Sequence, residues 1–233
     1  MAKRSFDDFD KYANDYRSIH TDNVKLSGAD SFYFAEHKVQ QLMGTEAGNT
    51  AVRMLDIGCG DGATELFIQQ YQPSWTVEAI DISEKSIARA GEKKITNANF
   101  SVYDGKQIPF ADNSFDIAFI AAVMHHIDFS LHECLLKEIL RVLKPGGRIY
   151  LFEHNPLNPV TRYLVNTCVF DKDAKLLGYN YSNRLLNNAG FKNIKKKFIL
   201  FFPRSGMLAR LIKLEDKLGW LPLGGQYLYK AEK

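Results

Sequence analysis

The amino-acid sequence predicts a doubly wound α/β fold built around a mostly parallel sheet. An apolar run at residues 52–57 ends in a glycine-rich turn and is followed by a run that can be helical, residues 62–71. This order is typical of a buried parallel strand that leads into a helix. Apolar runs and helical patterns alternate between residues 51 and 155. Such alternation favours parallel strands joined by right-handed crossovers.

Five strands and three helices are predicted within this central region. The strands are 52–57, 75–80, 99–103, 115–121 and 147–153, and the helices lie near 62–71, 83–93 and 131–142. Pro145-Gly146-Gly147 ends the last of these helices and turns the chain into the fifth strand.

The flanking regions are predicted to be helical before the core and mixed after it. Apolar stripes at helical spacing are formed by Phe6, Phe9, Tyr12, Ala13 and Tyr16, and more weakly by Phe34, His37, Val39, Gln41 and Leu42. A break is expected from Gly44 to Asn49. Helices near 160–168 and 182–189, a strand at 191–202, a helix at 206–218 and a last strand at 226–231 complete the prediction.

The spacing of the glycines after the first strand indicates the kind of ligand. Gly58, Gly60 and Gly62 alternate, and each lacks the Cβ that would keep a ligand away from the backbone. A dinucleotide fingerprint would be G-x-G-x-x-G, with a pyrophosphate at the helix N-terminus. Here Asp56 precedes the first glycine. A carboxylate at that point would repel a pyrophosphate and attract a cationic ligand.

Two further acids follow the next two predicted strands. Asp81 lies about 20 residues beyond the glycines, where a strand-end carboxylate accepts ribose hydroxyls. Asp104 ends the run from Phe100 to Tyr103 in the same way. Three acids at three consecutive strand ends predict a site for a nucleoside that carries a positive charge and no phosphates.

Three more sequence blocks follow in order. The segment from Asp104 to Asp116 precedes the fourth predicted strand, Met124-His125-His126-Ile127 follows it, and the segment from Arg141 to Gly147 leads into the fifth. With the glycine turn, these blocks resemble the class I S-adenosylmethionine-dependent methyltransferases, in particular the type 11, ubiquinone/menaquinone-type subgroup. The resemblance covers roughly residues 50–155 and extends to the opening stretch from Phe6 to Tyr16.

The resemblance implies a Rossmann-like, mostly parallel sheet of seven strands and a set of cofactor-binding residues. Asp56 and the turn Gly58, Cys59 and Gly60 would surround the methionine moiety, Asp81 would bind the ribose, Ile82, Asp104 and Gly105 the adenine, and Ala121 and Tyr16 would close the pocket. Asp56 and Asp104 have an alternative role as ordinary turn residues, since Asp is a common turn former. Tyr16 has an alternative role in helix packing, and Cys59 is expected to be a small filler and not a nucleophile.

Histidines are the candidates for a general base towards the methyl acceptor. His125 follows the fourth predicted strand and His154 ends the fifth, so both fall at the carboxyl edge of the sheet, where ligands bind. His154 is the preferred candidate. For the neighbouring His126, packing beneath the following helix with bonds to the backbone is the alternative.

Composition narrows the class of protein and its partners. The chain has 233 residues, of which 45% are hydrophobic and 24% charged, which suits one domain with a full core. The net charge of +3 does not favour a nucleic-acid surface. Three cysteines without metal spacing suggest a reduced cytoplasmic compartment and no metal. The opening residues lack the apolar core of a secretory signal, and no apolar run is long enough to span a membrane.

We therefore expect one methyltransferase domain with an N-terminal helical lid (1–50), a cofactor-binding core (51–155) and a substrate-side part (156–233). The acceptor is expected to be a small molecule or a lipid- or glycan-linked one, methylated at oxygen or carbon, with S-adenosylhomocysteine as product. The apolar late segments allow peripheral contact with a membrane. The alternatives are a non-catalytic S-adenosylmethionine-binding protein and an NAD(P)-dependent oxidoreductase. The latter lacks its glycine fingerprint and a Tyr-Lys pair here.

Overall fold

A seven-stranded sheet organises the chain. The computed structural model describes residues 16–46, 48, 51–169 and 171–233. The strands are β1 Arg53–Ile57, β2 Thr76–Asp81, β3 Ala98–Val102, β4 Phe115–Ala121, β5 Leu143–His154, β6 Lys192–Ile199 and β7 Gln226–Glu232. Their order across the sheet is β3-β2-β1-β4-β5-β7-β6. The first five are parallel, and β7 pairs antiparallel with both β5 and β6. The predicted fold class is confirmed.

Eight α-helices lie among the described residues and complete the fold. They are α1 Tyr16–Asn23, α2 Ser31–Glu46, α3 Ala63–Tyr71, α4 Glu84–Glu92, α5 His132–Val142, α6 Pro159–Thr167, α7 Tyr179–Ala189 and α8 Glu215–Leu218. Local sequence sets several of their ends. Ser83 caps α4 by accepting from the amide of Ser86, Asn158 caps α6 by accepting from the amide of Thr161, and Gly190 ends α7 at φ 103°.

The central strands, such as β1, β4 and β7, bury both of their faces, whereas the edge strands β3 and β6 are largely exposed. Successive residues of β4 illustrate the alternation, because Ile117 and Phe119 belong to one buried cluster and Ala118 and Ile120 to the other. The first cluster lies with α2 and α3, and the second lies with α5 and α7. The site below is built on the carboxyl ends of these buried strands.

Several element boundaries differ from those predicted, and three of the differences have a clear structural reason. The expected break at Gly44 is wrong, because α2 continues to Glu46. Glu46 is buried and accepts hydrogen bonds from both Nε and Nη2 of Arg148 at 2.8 Å and from Lys230 at 3.1 Å. These charge-assisted bonds to the sheet stabilise the last turn of α2, so the helix continues past Gly44.

The other two differences concern strands. β5 begins at Leu143 and not at 147, and its register against β4 shifts between Phe115 and Ile117, which accommodates the Pro145-Gly146-Gly147 turn within the strand. β6 ends at Ile199 and not at 202, because Leu200 takes a positive φ of 63°. The predicted helix at 206–218 is a 3₁₀-helix, Met207–Leu214, followed by α8.

The predicted stripe from Phe6 to Ala13 lies outside the described residues. α1 begins at Tyr16, whose side chain is likewise outside the description. Among the described residues, no helix combines the length and apolar character needed to cross a membrane.

Candidate active site

The glycine turn after β1 leaves open space at one position. Gly58, Gly60 and Gly62 have φ values of 76°, 56° and 78°, which favour glycine. A Cβ at Gly58 would lie 2.4 Å from Cγ2 of Val123, whereas a Cβ at Gly60 would meet no heavy atom within 4 Å. The amides of Gly58 and Cys59 both donate to the carbonyl of Ile80, at 2.8 and 3.2 Å. The turn is thus tied to β2, and the space beside Gly60 is open.

Asp81 joins this turn to the second strand. Its Oδ2 accepts from the amide of Gly60 at 2.9 Å, and its Oδ1 accepts from the amide of Ser83 at 2.9 Å. One carboxylate therefore holds both the glycine turn and the start of α4. The side chain remains partly exposed.

The residues predicted to contact a base lie together. A Cβ at Gly105 would lie 3.2 Å from Cγ2 of Ile82. Asp104 is exposed, and its Oδ1 accepts from the amides of Lys106 and Gln107 at 2.8 and 3.0 Å. These two backbone bonds lower the pKa of Asp104. Both bonds are those of an ordinary turn residue, which is the alternative role considered for Asp104. The contact of Asp104 with adenine stays a prediction.

Asp56 is paired with an acid that sequence reasoning missed. Asp56 and Glu65 are buried, and Oδ2 of Asp56 and both side-chain oxygens of Glu65 have no other hydrogen-bond partner. Burial, and then the neighbouring carboxylate, raises the pKa of Asp56 well above its usual range. Burial also raises the pKa of Glu65, to about 7. Two buried carboxyls in contact cannot both ionise, so the pair shares a proton.

An ion-pair cluster connects the N-terminal helix to the glycine turn. Asp61 accepts from Nε of Arg17 at 2.8 Å and from Nζ of Lys93 at 2.9 Å. Burial would raise the pKa of Asp61, but the bonds and charges of Arg17 and Lys93 lower it. Arg17 also donates to Oγ of Ser31 at 2.7 Å, at the start of α2. The first described helix is therefore held beside the glycine turn. The lid role expected for the N-terminal segment stays a prediction.

His125 and His154 meet at the ends of β4 and β5. Their ring centroids are 5.1 Å apart. Nδ1 of His125 lies 2.6 Å from Oε2 of Glu153, and Oε1 of Glu153 accepts from the amide of Met124 at 2.9 Å. His125 is buried, whereas His154 is partly exposed. Ala121, the last residue of β4, lies at the same edge.

The charges around these two histidines differ. Burial would lower the pKa of His125, but the carboxylates of Glu153 and Asp171 outweigh it and raise the pKa to about 9. Burial, together with the charge of His125, lowers the pKa of His154 to about 4. Asp171 was not singled out by sequence reasoning. His132, on α5, contacts the backbone of the same turn: its Nε2 lies 2.9 Å from the carbonyl of Met124. The backbone role considered for His126 stays a prediction.

Two segments beyond β5 are fastened to each other at the rim of this cleft. Asn155 donates to the carbonyl of Gly224 at 2.8 Å, and Asn158 donates to the carbonyl of Leu223 at 2.7 Å. A Cβ at Gly224 would lie 2.5 Å from the carbonyl oxygen of Ile199, so this close approach requires glycine. Exposed apolar side chains belong to these segments and their neighbours: Leu157, Val160, Tyr163, Trp220 and Leu223.

Known proteins resemble this chain in sequence. A family model described as a methyltransferase domain matches residues 55–151. A demethylmenaquinone methyltransferase of Lactobacillus johnsonii is 30% identical over 168 residues, covering 60% of this chain and 68% of that protein. A ubiquinone/menaquinone biosynthesis C-methyltransferase of Ectopseudomonas mendocina is 33% identical over 138 residues, covering 56% of this chain and 52% of the relative. This chain matches about half of the length of several methyltransferases among its relatives.

Solved structures share the fold. A methyltransferase of Thermotoga maritima, described as a possible histamine N-methyltransferase, superposes with a TM-score of 0.70 at 19% identity, covering 98% of this chain and 100% of that one. Phosphoethanolamine N-methyltransferase 2 of Haemonchus contortus, solved with S-adenosylhomocysteine, gives 0.68 at 20% identity, covering 99% of this chain and 60% of that one. The sequence matches and the sheet order lead to one conclusion: the chain belongs to the class I S-adenosylmethionine-dependent methyltransferases, in the type 11 group.

Proposed function

We propose that this protein transfers the methyl group of S-adenosylmethionine to a small-molecule or lipid- or glycan-linked acceptor, at oxygen or carbon. One observation carries the proposal: the open face of Gly60 and the carboxylate of Asp81 lie on the same sheet edge as the His125–His154 pair. A cofactor crevice and a set of proton-handling side chains thus adjoin. The single-domain organisation is part of the same proposal.

The residues present fit the cofactor. The space that a Cβ would fill at Gly60 allows close approach of a ligand to the backbone. The proposed contacts are Asp56, Gly58, Cys59 and Gly60 to the methionine moiety, Asp81 to the ribose, Ile82, Asp104 and Gly105 to the adenine, and Ala121 and Tyr16 at the margins of the pocket. The bound cofactor supplies an electrophilic methyl group on a sulfonium.

The protein's own contribution is mainly positional. Holding acceptor and methyl in line and excluding water supplies about 7–11 kcal/mol in well-oriented reactions. For a hydroxyl acceptor, we propose His154 as the general base, because it is partly exposed at the carboxyl end of β5. His125 is the poorer of the two base candidates, because it is buried with Nδ1 held by Glu153. We propose that it positions the neighbouring side chains.

The rim of the cleft favours an apolar acceptor. Leu157, Val160 and Leu223 are each more than half exposed beside the fastened segments. Two of the relatives are named for ubiquinone/menaquinone biosynthesis and for demethylmenaquinone. By analogy with them, and from the apolar rim, the acceptor proposed for this chain includes a lipid-linked one with peripheral membrane contact. The three cysteines are free, which supports a cytoplasmic location. A nucleic-acid acceptor is not favoured by the net charge of +3.

A methylation screen tests this function. Purified protein is incubated with isotope-labelled S-adenosylmethionine and fractions of a cell lysate, including lipid extracts, and products are read by mass spectrometry. We expect label in an extractable small molecule or lipid together with S-adenosylhomocysteine. Binding measured by calorimetry without a methylated product in any fraction would support the non-catalytic alternative. Binding of NADH in place of S-adenosylmethionine would support the oxidoreductase.

A further inference from the structure

Two histidines and one aspartate converge beside the proposed acceptor position. Nε2 of His125 lies 3.7 Å from Oδ1 of Asp171, and Nε2 of His126 lies 3.4 Å from the same oxygen. One ligand atom from each of the three side chains lies within 4.8 Å of the others. The cluster could not be predicted from the order of residues, because Asp171 is 45 residues from the histidine pair.

These separations match the edges of a metal coordination polyhedron. Zinc binds nitrogen and carboxylate oxygen at about 2.0–2.2 Å, so neighbouring ligand atoms of a tetrahedral site are about 3.3–3.5 Å apart. An N–H···O hydrogen bond places its heavy atoms closer, at about 2.7–3.2 Å. The separation from His126, 3.4 Å, equals such an edge, and the separation from His125, 3.7 Å, is slightly longer. Both exceed the usual length of a hydrogen bond, so a small inward shift of His125 would complete the geometry around an ion.

A second carboxylate orients the first histidine as in known metal sites. Oε2 of Glu153 lies 2.6 Å from Nδ1 of His125, and the other oxygen of Glu153 is held by the amide of Met124. A histidine that binds a metal through one nitrogen almost always donates its other ring N–H to such a partner. The partner fixes the tautomer and aims Nε2 of His125 into the cluster.

The backbone brings the three ligands together and leaves access. A short 3₁₀ turn, Met124–His126, follows β4 and presents two consecutive histidines. The carbonyl of Asp171 accepts from the amide of Ala174, which closes a turn at 171–175. The carbonyl of His125 accepts from the amide of Lys175, and this bond holds the 171–175 turn against the 3₁₀ turn. The side chains of His126 and Asp171 are each 15% exposed, which leaves an entry path.

We propose that His125, His126 and Asp171 form a mononuclear site for a divalent transition-metal ion such as Zn²⁺, with an open position that takes an oxygen of the methyl acceptor. Three protein ligands with a vacant fourth position characterise catalytic zinc sites. The same donor set also suits Fe²⁺. The role proposed is that of a Lewis acid, so no electron is transferred.

The acceptor part of this inference rests on the proposed function. The acceptor hydroxyl would bind the ion through its oxygen, which lowers its pKa, and would lose its proton to His154. An electron pair of that oxygen forms the bond to the methyl carbon. The methyl–sulfur bond breaks, and its electrons stay on the sulfur of S-adenosylhomocysteine. The acceptor class is thus a hydroxyl compound.

A metal titration without cofactor tests the site. Protein stripped with a chelator is titrated with Zn²⁺ in a calorimeter and with Co²⁺ while visible absorption is recorded. We expect one ion per chain, bound at micromolar concentration or tighter, with Co²⁺ bands of low coordination number. Asp171→Asn and His126→Gln should each weaken Zn²⁺ binding at least 10-fold, and Glu153→Gln by about 10–100-fold.

Matched control variants distinguish loss of the metal site from a general effect of substitution. His37→Gln and Asp216→Asn change a histidine and an aspartate outside the cluster and should leave Zn²⁺ affinity unchanged. Circular dichroism and urea unfolding check that each variant is folded, and calorimetry with S-adenosylmethionine reports the cofactor crevice separately. Absence of stoichiometric binding below about 100 μM Zn²⁺, or equal binding by folded Asp171→Asn protein, would overturn the metal site. Failure to find a methylated product would instead overturn the proposed function and the acceptor role that rests on it, and would leave the metal site itself standing.

Discussion

The backbone amide of Gly60 donates a 2.9 Å hydrogen bond to Oδ2 of Asp81. This bond joins the open turn after β1 to the carboxylate at the end of β2. The same carboxylate also accepts from the amide of Ser83, so three segments of the crevice depend on one side chain. The first two predictions concern the two members of this pair.

Asp81→Ala should weaken S-adenosylmethionine binding by about 10- to 150-fold. The ribose hydroxyls would lose a charged acceptor, and hydrogen bonds to charged groups contribute about 1.5–3 kcal/mol. Isothermal titration calorimetry measures the dissociation constant. Asp216→Ala, which removes an exposed acid elsewhere, is the control and should bind normally. Equal affinities of wild type and Asp81→Ala protein would show that Asp81 does not hold the cofactor.

Gly60→Ala should separate a ligand effect from a backbone effect. Gly206 is the matched control, because both glycines have positive φ and a Cβ at either would meet no heavy atom within 4 Å. Both substitutions should lower stability in urea unfolding, because alanine resists positive φ. Gly206→Ala should cost more, because its φ of 74° and ψ of −165° lie in a region almost confined to glycine. Only Gly60→Ala should also lower cofactor affinity, by 10-fold or more. Equal cofactor affinities of the two variants would contradict the placement of the ligand at Gly60.

The shared proton of Asp56 and Glu65 predicts an unusual dependence of stability on pH. The pKa of Glu65 is about 7 in the folded protein, against about 4.3 in an unfolded chain. Between these values the folded state retains a proton that the unfolded state releases. The free energy of unfolding should therefore fall as pH rises from about 5 to 7, by about 1–3 kcal/mol.

Urea unfolding at pH 5, 6 and 7 measures this fall. Glu65→Gln should flatten the profile, because the amide does not titrate. Glu84→Gln, at the exposed first turn of α4, should leave it unchanged. Parallel profiles for wild type and Glu65→Gln protein would mean that the buried pair does not share a proton.

His154→Gln should lower kcat for a hydroxyl acceptor by about 10²-fold or more, with little change in KM, if His154 is the general base. Steady-state assays on the acceptor identified by the methylation screen provide the measurement. His37→Gln controls for loss of a histidine outside the cleft. A kcat within 2-fold of wild type would remove His154 from the proton-transfer step.

The sheet and its core were predictable because their signals are local. The apolar runs of β1 and β4 indicate buried strands whatever their neighbours in the fold are. The glycine spacing after Ile57 indicates a turn with positive φ angles without reference to distant residues. The predicted ends of elements were wrong where contacts with residues far away in the sequence determine them. Glu46 extends α2 only because Arg148 and Lys230 reach it from the sheet.

The candidate site was only partly predictable for the same reason. Strand-end acids and histidines could be found from their order along the chain. Asp171 and Arg17 could not, because their roles depend on partners 44 or more residues away. Glu65 did carry a signal: an acid lies within the otherwise apolar inner face of α3, where a charge is costly unless it is paired or neutralised.

The position of β7 has a consequence for biosynthesis. This last described strand lies in the interior of the sheet, between β5 and β6. During synthesis from the N-terminus, the edge of β5, which carries Glu153 and His154, stays unpaired until β7 has been made. An unpaired β-edge is a target for chaperones in that interval.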